Sequence, residues 1–164
     1  MSFMKIIYIF VPSITIKSSI MFSKTCEYGI RAVIFIAEES RNGRKTGIKA
    51  IARQIDSPEA FTGKILQTLV KHKIIASSKG PSGGFYIPEE SLSQLKLVEI
   101  VSAIDGDGVY THCALGLNGC VRDEPCPLHN EFKHVRDEME SMLRSIFIND
   151  MTLDYQSSQT FLKR

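Results

Sequence analysis

Apolar residues recur along residues 24–39 with the period of a helix. Ile30, Val33, Ile34 and Ala37 stand at i, i+3, i+4 and i+7, which places them on one face. Arg41-Asn42-Gly43-Arg44 closes that segment with a turn. Ile48, Ile51, Ala52 and Ile55 repeat the same spacing over a shorter stretch. Asp56-Ser57-Pro58-Glu59 then reads as a stop and a restart. Ser57 suits an N-cap, Pro58 the first helical position and Glu59 the positive helix end. The third predicted helix runs to about Lys73. Its apolar face is Phe61, Ile65, Leu66, Leu69 and Val70. The opposite face presents Thr62, Gly63, Lys64, Gln67, Thr68, Lys71 and His72.

The pattern then shortens. Ile74 to Ser78 reads as a strand, Lys79-Gly80-Pro81-Ser82-Gly83-Gly84 as a turn, and Phe85-Tyr86-Ile87 as the returning strand, stopped by Pro88. A hairpin directly after two short helices joined by a tight turn is the order of a winged helix-turn-helix. Further on, Leu97, Ile100, Val101 and Ile104 predict one more short helix, ended by Asp105-Gly106-Asp107-Gly108. From Pro127 to about Asn149, Leu128, Phe132, Val135, Met139, Met142 and Ile146 trace a heptad seam. Charged residues flank it, among them Glu131, Lys133, Arg136, Glu138 and Arg144. A long helix with a narrow apolar seam needs a partner helix, and the expected partner is the same helix of a second subunit.

The expected fold class is therefore mainly α with a small β-hairpin wing. The expected organisation is an N-terminal extension over 1–20 and a winged helix-turn-helix over 21–90. A connecting helix and cysteine loop over 91–126 follows, then a dimerisation helix over 127–150 and a flexible tail over 151–164. The first twenty residues carry a short apolar run cut by Pro12 and none of the later periodicity. Met21 opens the regular pattern and is the expected natural start. No apolar run approaches the ~20 residues of a membrane span, so a cytoplasmic protein with no membrane partner is expected.

Charge sharpens this picture. The net charge of +2 in 164 residues hides an asymmetry. Residues 21–80 carry eleven Lys and Arg against five Asp and Glu, and residues 81–164 carry seven against thirteen. A basic first half suits a polyanion such as double-stranded DNA. On this reading Thr62, Gly63, Lys64 and Gln67 read base edges. Lys24, Lys49, Lys71, Lys73 and Lys79 meet phosphates. The bare backbone of Gly80, Gly83 and Gly84, with Pro81 and Ser82 between, lets the wing approach the duplex closely. No phosphate loop, nucleophile–base pair or dinucleotide fingerprint appears, so an enzyme is not expected.

The acidic half holds the other chemistry. Cys113, Cys120 and Cys126 fall within fourteen residues of a glycine-rich stretch, followed by His129 in a C-x6-C-x5-C-x2-H spacing. Zinc accepts three Cys and one His, but the tight C-x2-4-C knuckle is missing. An iron–sulfur cluster takes thiolates through wider loops and accepts a His ligand. A helix opening at Pro127 would favour a thiolate at Cys126. The remaining readings are a metal-free redox thiol set and a small electron-transfer protein, and against the latter stands the glycine wing.

Taken together, these segments resemble the IscR/NsrR type of winged-helix regulators, the Rrf-two family, over about Met21 to Ile148. The resemblance rests on Tyr28-Gly29-Ile30-Arg31-Ala32, Ile51-Ala52-x-x-Ile55, Phe61-x-x-Lys64-Ile65-Leu66 and Lys79-Gly80-Pro81-Ser82-Gly83-Gly84-Phe85. It also rests on Leu97-x-x-Ile100-Val101-x-Ala103-Ile104-Asp105-Gly106 and Cys126-Pro127-Leu128-His129. It implies a homodimeric transcription factor on a palindromic promoter operator. It also implies a two-iron or four-iron cluster on Cys113, Cys120 and Cys126 that responds to iron–sulfur status, nitric oxide or an oxidant. The fourth ligand implied is His129 or, in another branch, an acidic residue early in the first helix, where Glu27 stands. Where the family usually has a basic second residue, this chain has Phe22.

Overall fold

The structure is a computed structural model and describes residues 21–113, 115 and 125–156. The expected extension over 1–20, Cys120 and the last eight residues of the tail lie outside the described residues. The first helix, α1 (Lys24–Arg41), starts where Ser23 Oγ accepts from the Cys26 amide at 3.1 Å. It ends in paired bonds, Gly43 N to Ser40 O and Arg44 N to Glu39 O, both 2.9 Å. Its burial is wider than one stripe: Ala32, Val33, Ile34, Ile36 and Ala37 are all buried. The reason is that α1 packs against α2, α3, α5 and α8 at once, so it is a central helix.

α2 (Ile48–Ile55) and α3 (Glu59–Lys71) follow as expected. The turn between them differs in detail. Asp56 takes the left-handed conformation, and Pro58, not Ser57, holds the capping position. Ser57 Oγ is buried without a partner among the described residues, so α3 begins with no side-chain cap. The helix closes with Lys73 N donating to Val70 O at 3.0 Å and Ile74 N to Leu69 O at 2.9 Å.

The wing pairs β1 (Ala76–Ser78) with β2 (Gly84–Tyr86), antiparallel, in the register Ala76 to Tyr86, Ser77 to Phe85 and Ser78 to Gly84. A third edge comes from the α1–α2 loop. Thr46 and Phe85 exchange two backbone hydrogen bonds, of 3.0 and 2.9 Å. Lys45 reinforces it, donating to Ser78 Oγ at 3.1 Å and lying 4.8 Å over the Tyr86 ring. Gly84 has φ +153°, and a Cβ there would come within 2.9 Å of Thr46 O. Only glycine allows this tether.

α4 (Glu89–Leu92) and α5 (Leu97–Ile104) lead to α6 (Gly108–Thr111), then α7 (His129–Ser145) and α8 (Ile148–Gln156). The periodicity of the chain does not announce α4, α6 or α8. The expected single helix over 127–150 is in fact two. Ile146 turns extended. Leu97 N donates to Ile146 O at 3.0 Å, and Ile148 N donates to Leu95 O at 2.9 Å. The start of the expected flexible tail is likewise helical: α8 packs on α1, and Arg41 Nη1 donates to the buried Thr152 Oγ1 at 2.9 Å. Backbone pairing with the 95–97 segment ends α7, which local periodicity cannot register. No helix among the described residues is long and apolar enough to cross a membrane.

One continuous cluster joins the winged unit to the later helices: Ile51, Ile65, Leu66, Leu69, Ile100, Val101, Leu143 and Ile148 all belong to it. Ile100 is fully buried. Ile100→Ala is expected to destabilise the protein by about 2–5 kcal/mol, through lost apolar transfer and the cavity left behind. Urea unfolding checks this, and a midpoint unchanged from the parent would contradict the assignment of α5 to the shared core.

Candidate nucleic-acid interface and thiol cleft

Helix α3 divides into two faces. Ile65, Leu66 and Leu69 enter the core. Thr62 joins them, which corrects its expected place among base-reading residues. It is 0 % exposed, and its Oγ1 donates to Pro58 O at 3.0 Å. A threonine whose hydroxyl is satisfied one turn back behaves as a core residue. Gly63 is half-buried, and a Cβ there would lie 3.1 Å from Ile48 Cδ1, so its small size serves the approach of α2. The exposed stripe is Ala60, Lys64, Gln67 and Lys71, at i, i+4, i+7 and i+11. Ala60 escapes a sequence-based search because an alanine carries no polar signal.

Lys49 and Arg53 stand four residues apart on α2, both exposed. They line an open notch at the α2–α3 turn with Asp56 and Glu59. Arg53 is absent from the expected contact set, although its i+4 spacing from Lys49 is readable in the sequence. At the wing, Lys79, Gly80, Pro81 and Ser82 are exposed, and Gly83 and Gly84 are half-buried. Gly83 N donates to Gly80 O at 2.9 Å. A Cβ on Gly83 would fall 2.4 Å from Ser78 O, so this turn has no room for a larger residue. Lys24 differs from the other lysines. It sits in the first turn of α1 and pairs with Glu27 at 2.7 Å.

One aromatic contact ties α1 to the start of α3, and a second braces it from within α1. Tyr28 meets Phe61 edge to face at 5.7 Å, and the Arg31 guanidinium lies 4.9 Å over the Tyr28 ring. Glu27, besides Lys24, has Arg31 at 3.9 Å.

The second site is a narrow cleft lined by Cys113, Leu115, Cys126, Leu128, His129, Phe132 and Arg136. It thus gathers two of the three expected cysteines and the expected His. Cys120 lies outside the described residues. His129 is the first residue of α7, so the helix opens three residues after Cys126 rather than at Pro127. His129 N donates to Cys126 O at 2.9 Å. Among the described residues, no group of three or more His, Cys, Asp or Glu is placed to hold a metal ion. The donor types, two thiols and an imidazole on one cleft, are those an iron–sulfur cluster accepts.

Cys26 is a different kind of thiol. It is fully buried in α1. Burial, with the Asp105 carboxylate beside it, pushes its pKa up to about 12. It stays neutral and has no place on the cleft.

Beside the cleft the seam of α7 is exposed. Leu128 is 41 % exposed, Phe132 39 %, Val135 54 % and Met142 43 %. Of the seam, Met139 and Ile146 are partly buried against the chain's own core. The exposed apolar stripe thus spans about two heptads and is left open by the described residues of its own chain.

The fold matches proteins with known structures. It is similar to T. potens IscR, with a TM-score of 0.68 and 20 % identity over 87 % of this chain and 93 % of that one. It is also similar to CymR, the global cysteine regulator of B. subtilis, with a TM-score of 0.66 and 19 % identity over 85 % and 98 %. In sequence the chain is 23 % identical over 124 residues to the helix-turn-helix-type transcriptional regulator IscR of Cronobacter sakazakii, covering 76 % of this chain and 75 % of that protein. The sequence profile of the Rrf2 family, described as "Iron-dependent Transcriptional regulator", matches residues 22–154. With nearly all the described residues inside that match, and a tethered wing, an outward basic stripe and a thiol cleft in its structure, the chain belongs to the Rrf2 family of transcriptional regulators.

Proposed function

We propose that two copies of this chain, joined along the α7 seam, bind a palindromic operator, and that the state of the thiol cleft gates that binding. The observation that carries the DNA-binding part is the exposed stripe Ala60, Lys64, Gln67 and Lys71 on the second helix of a helix-turn-helix, next to a glycine wing. The stripe enters the major groove. Gln67 can bond an adenine edge in two places and Lys64 can donate to guanine. Ala60 offers a methyl to thymine. Lys49, Arg53, Lys71 and Lys79 neutralise phosphates around it.

The gating reading rests on Cys113, Cys126 and His129 lining one cleft, next to the exposed stripe of α7. Cys113, Cys120, Cys126 and His129 would hold an iron–sulfur cluster, which supplies a group sensitive to oxidants and nitric oxide. His129 is favoured over Glu27 as fourth ligand, because it lines the same cleft as Cys113 and Cys126 and Glu27 does not. A second reading, metal-free thiol sensing by the same cysteines, is supported by the likeness of the fold to CymR, a cysteine regulator.

Three experiments test the proposal. Operator duplexes can be selected from a random pool and binding read by fluorescence anisotropy. Gln67→Ala is then expected to lose about 1–3 kcal/mol and to relax preference at one position. Lys79→Ala is expected to weaken all sequences alike and to lower the salt slope by about one. Unchanged affinity in both would mean that another face meets DNA.

Anaerobic purification with iron, sulfide and absorption analysis separates the two sensing readings. A coloured protein that loses its chromophore in Cys113→Ala, Cys120→Ala and Cys126→Ala supports the cluster. A colourless, iron-free protein after reconstitution moves the sensing to bare thiols.

Val135→Glu places a charge in the middle of the exposed seam. Sedimentation equilibrium is expected to show a dimer for the parent and a monomer for this variant. A monomeric parent would refute pairing along α7.

A further inference from the structure

We propose that Asp105 and Asp107, on either side of Gly106, form a joint that transmits the state of the cysteine loop to the first turn of α1. This rests on the reading that the loop thiols are the sensing element. Asp105 ends α5 and grips the start of the DNA-binding unit. Its Oδ2 accepts from Ser23 N at 2.8 Å, and its Oδ1 accepts from Ser23 Oγ at 2.5 Å. Ser23 is in turn the N-cap of α1, receiving the Cys26 amide on its Oγ and the Glu27 amide on its carbonyl at 2.9 Å.

Asp107 grips the other side. One carboxylate oxygen accepts from Ser102 Oγ and from Tyr110 Oη, both at 2.5 Å, and those two hydroxyls are 2.8 Å apart. Its backbone carbonyl accepts from Thr111 N at 3.0 Å and Thr111 Oγ1 at 2.8 Å. Asp107 thus fixes α6, whose last residue stands two positions before Cys113. Tyr110 is buried, and α6 packs on α7, as α5 does.

Between the two carboxylates Gly106 has φ +74°, and a Cβ there would meet nothing within 4 Å. The backbone conformation, not packing, therefore selects glycine. The result is a short lever. A displacement of Cys113 pulls on α6 and hence on Asp107. Asp105, on the far side of a single glycine, moves with it and loosens or tightens the cap of α1. The lever ends on the helix that also carries Tyr28 against Phe61 of α3.

The test uses the full reduced chain. N-ethylmaleimide is driven to completion at Cys113, Cys120 and Cys126, checked by peptide mass, and Cys26 serves as the buried control. Hydrogen exchange is then read at the Cys26 and Glu27 amides. Loop modification is expected to change their exchange about five-fold in the parent, the factor that one hydrogen bond is worth. In Asp105→Asn and in Tyr110→Phe, modified and unmodified proteins are expected to exchange there at equal rates, while α3 keeps its protection. A purely structural role would shift both states together and leave their ratio intact. Equal exchange in the modified and unmodified parent, or a ratio that survives in both variants, overturns the joint. Neither result touches DNA binding, and failure of the parent to bind any duplex would sink the regulator reading while leaving the exchange ratio as measured.

Discussion

Everything in this protein hangs on the burial of α1. Five of its apolar residues have no exposed surface or almost none, spread over more than one face. Burying them all requires the helix-turn-helix on one side and α5 and α8 on others. Neither half supplies enough cover alone. The helix-turn-helix unit and the thiol-bearing unit are therefore cooperative parts of one core, at about 25 cal/mol for each Å² of apolar surface they share.

The two units divide labour by charge and by backbone exposure. The basic side presents long cationic and amide side chains and open backbone on a stripe and a turn. The acidic side keeps its chemistry in an apolar cleft next to an unpartnered helix face. Carboxylates there serve structure. Hydrogen bonds from Ser102 and Tyr110 hold the Asp107 carboxyl below its ordinary range, while burial and then Asp107 push the Tyr110 hydroxyl up. Both groups thus keep at neutral pH the protonation states that their mutual hydrogen bond needs.

Much of this architecture is legible in the order of residues alone. The first three helices, the hairpin and α5 are each specified by local periodicity and turn residues, which a sequence displays directly. What stays hidden is set by contacts distant in the chain or by satisfaction of a polar group. Thr62 reads as a surface residue because its type is polar, yet its hydroxyl is satisfied by Pro58 O. The seam through Ile146 keeps its heptad rhythm although residues 95–97 claim that backbone. α8 has a weak pattern and is held by Thr152 and Arg41. In the site, the cysteines announce themselves by spacing, and so does Arg53 through its i+4 distance from Lys49, whereas Ala60 acquires meaning only from the surface it shares with Lys64.

The pair of backbone bonds between Thr46 and Phe85 has a consequence for how such a regulator could be tuned. The wing is sewn to the loop before α2, and α2 is packed on α3. Wing tip and recognition stripe are then fixed relative to each other within one protomer. Each protomer thus carries wing tip and stripe as one rigid unit, and in the proposed pair of protomers the adjustable quantity would be the distance and twist between the two units. On the proposed reading, new target sequences would arise over evolutionary time by exchanging side chains on α3, whereas new signals would act by resetting the spacing between the two rigid units.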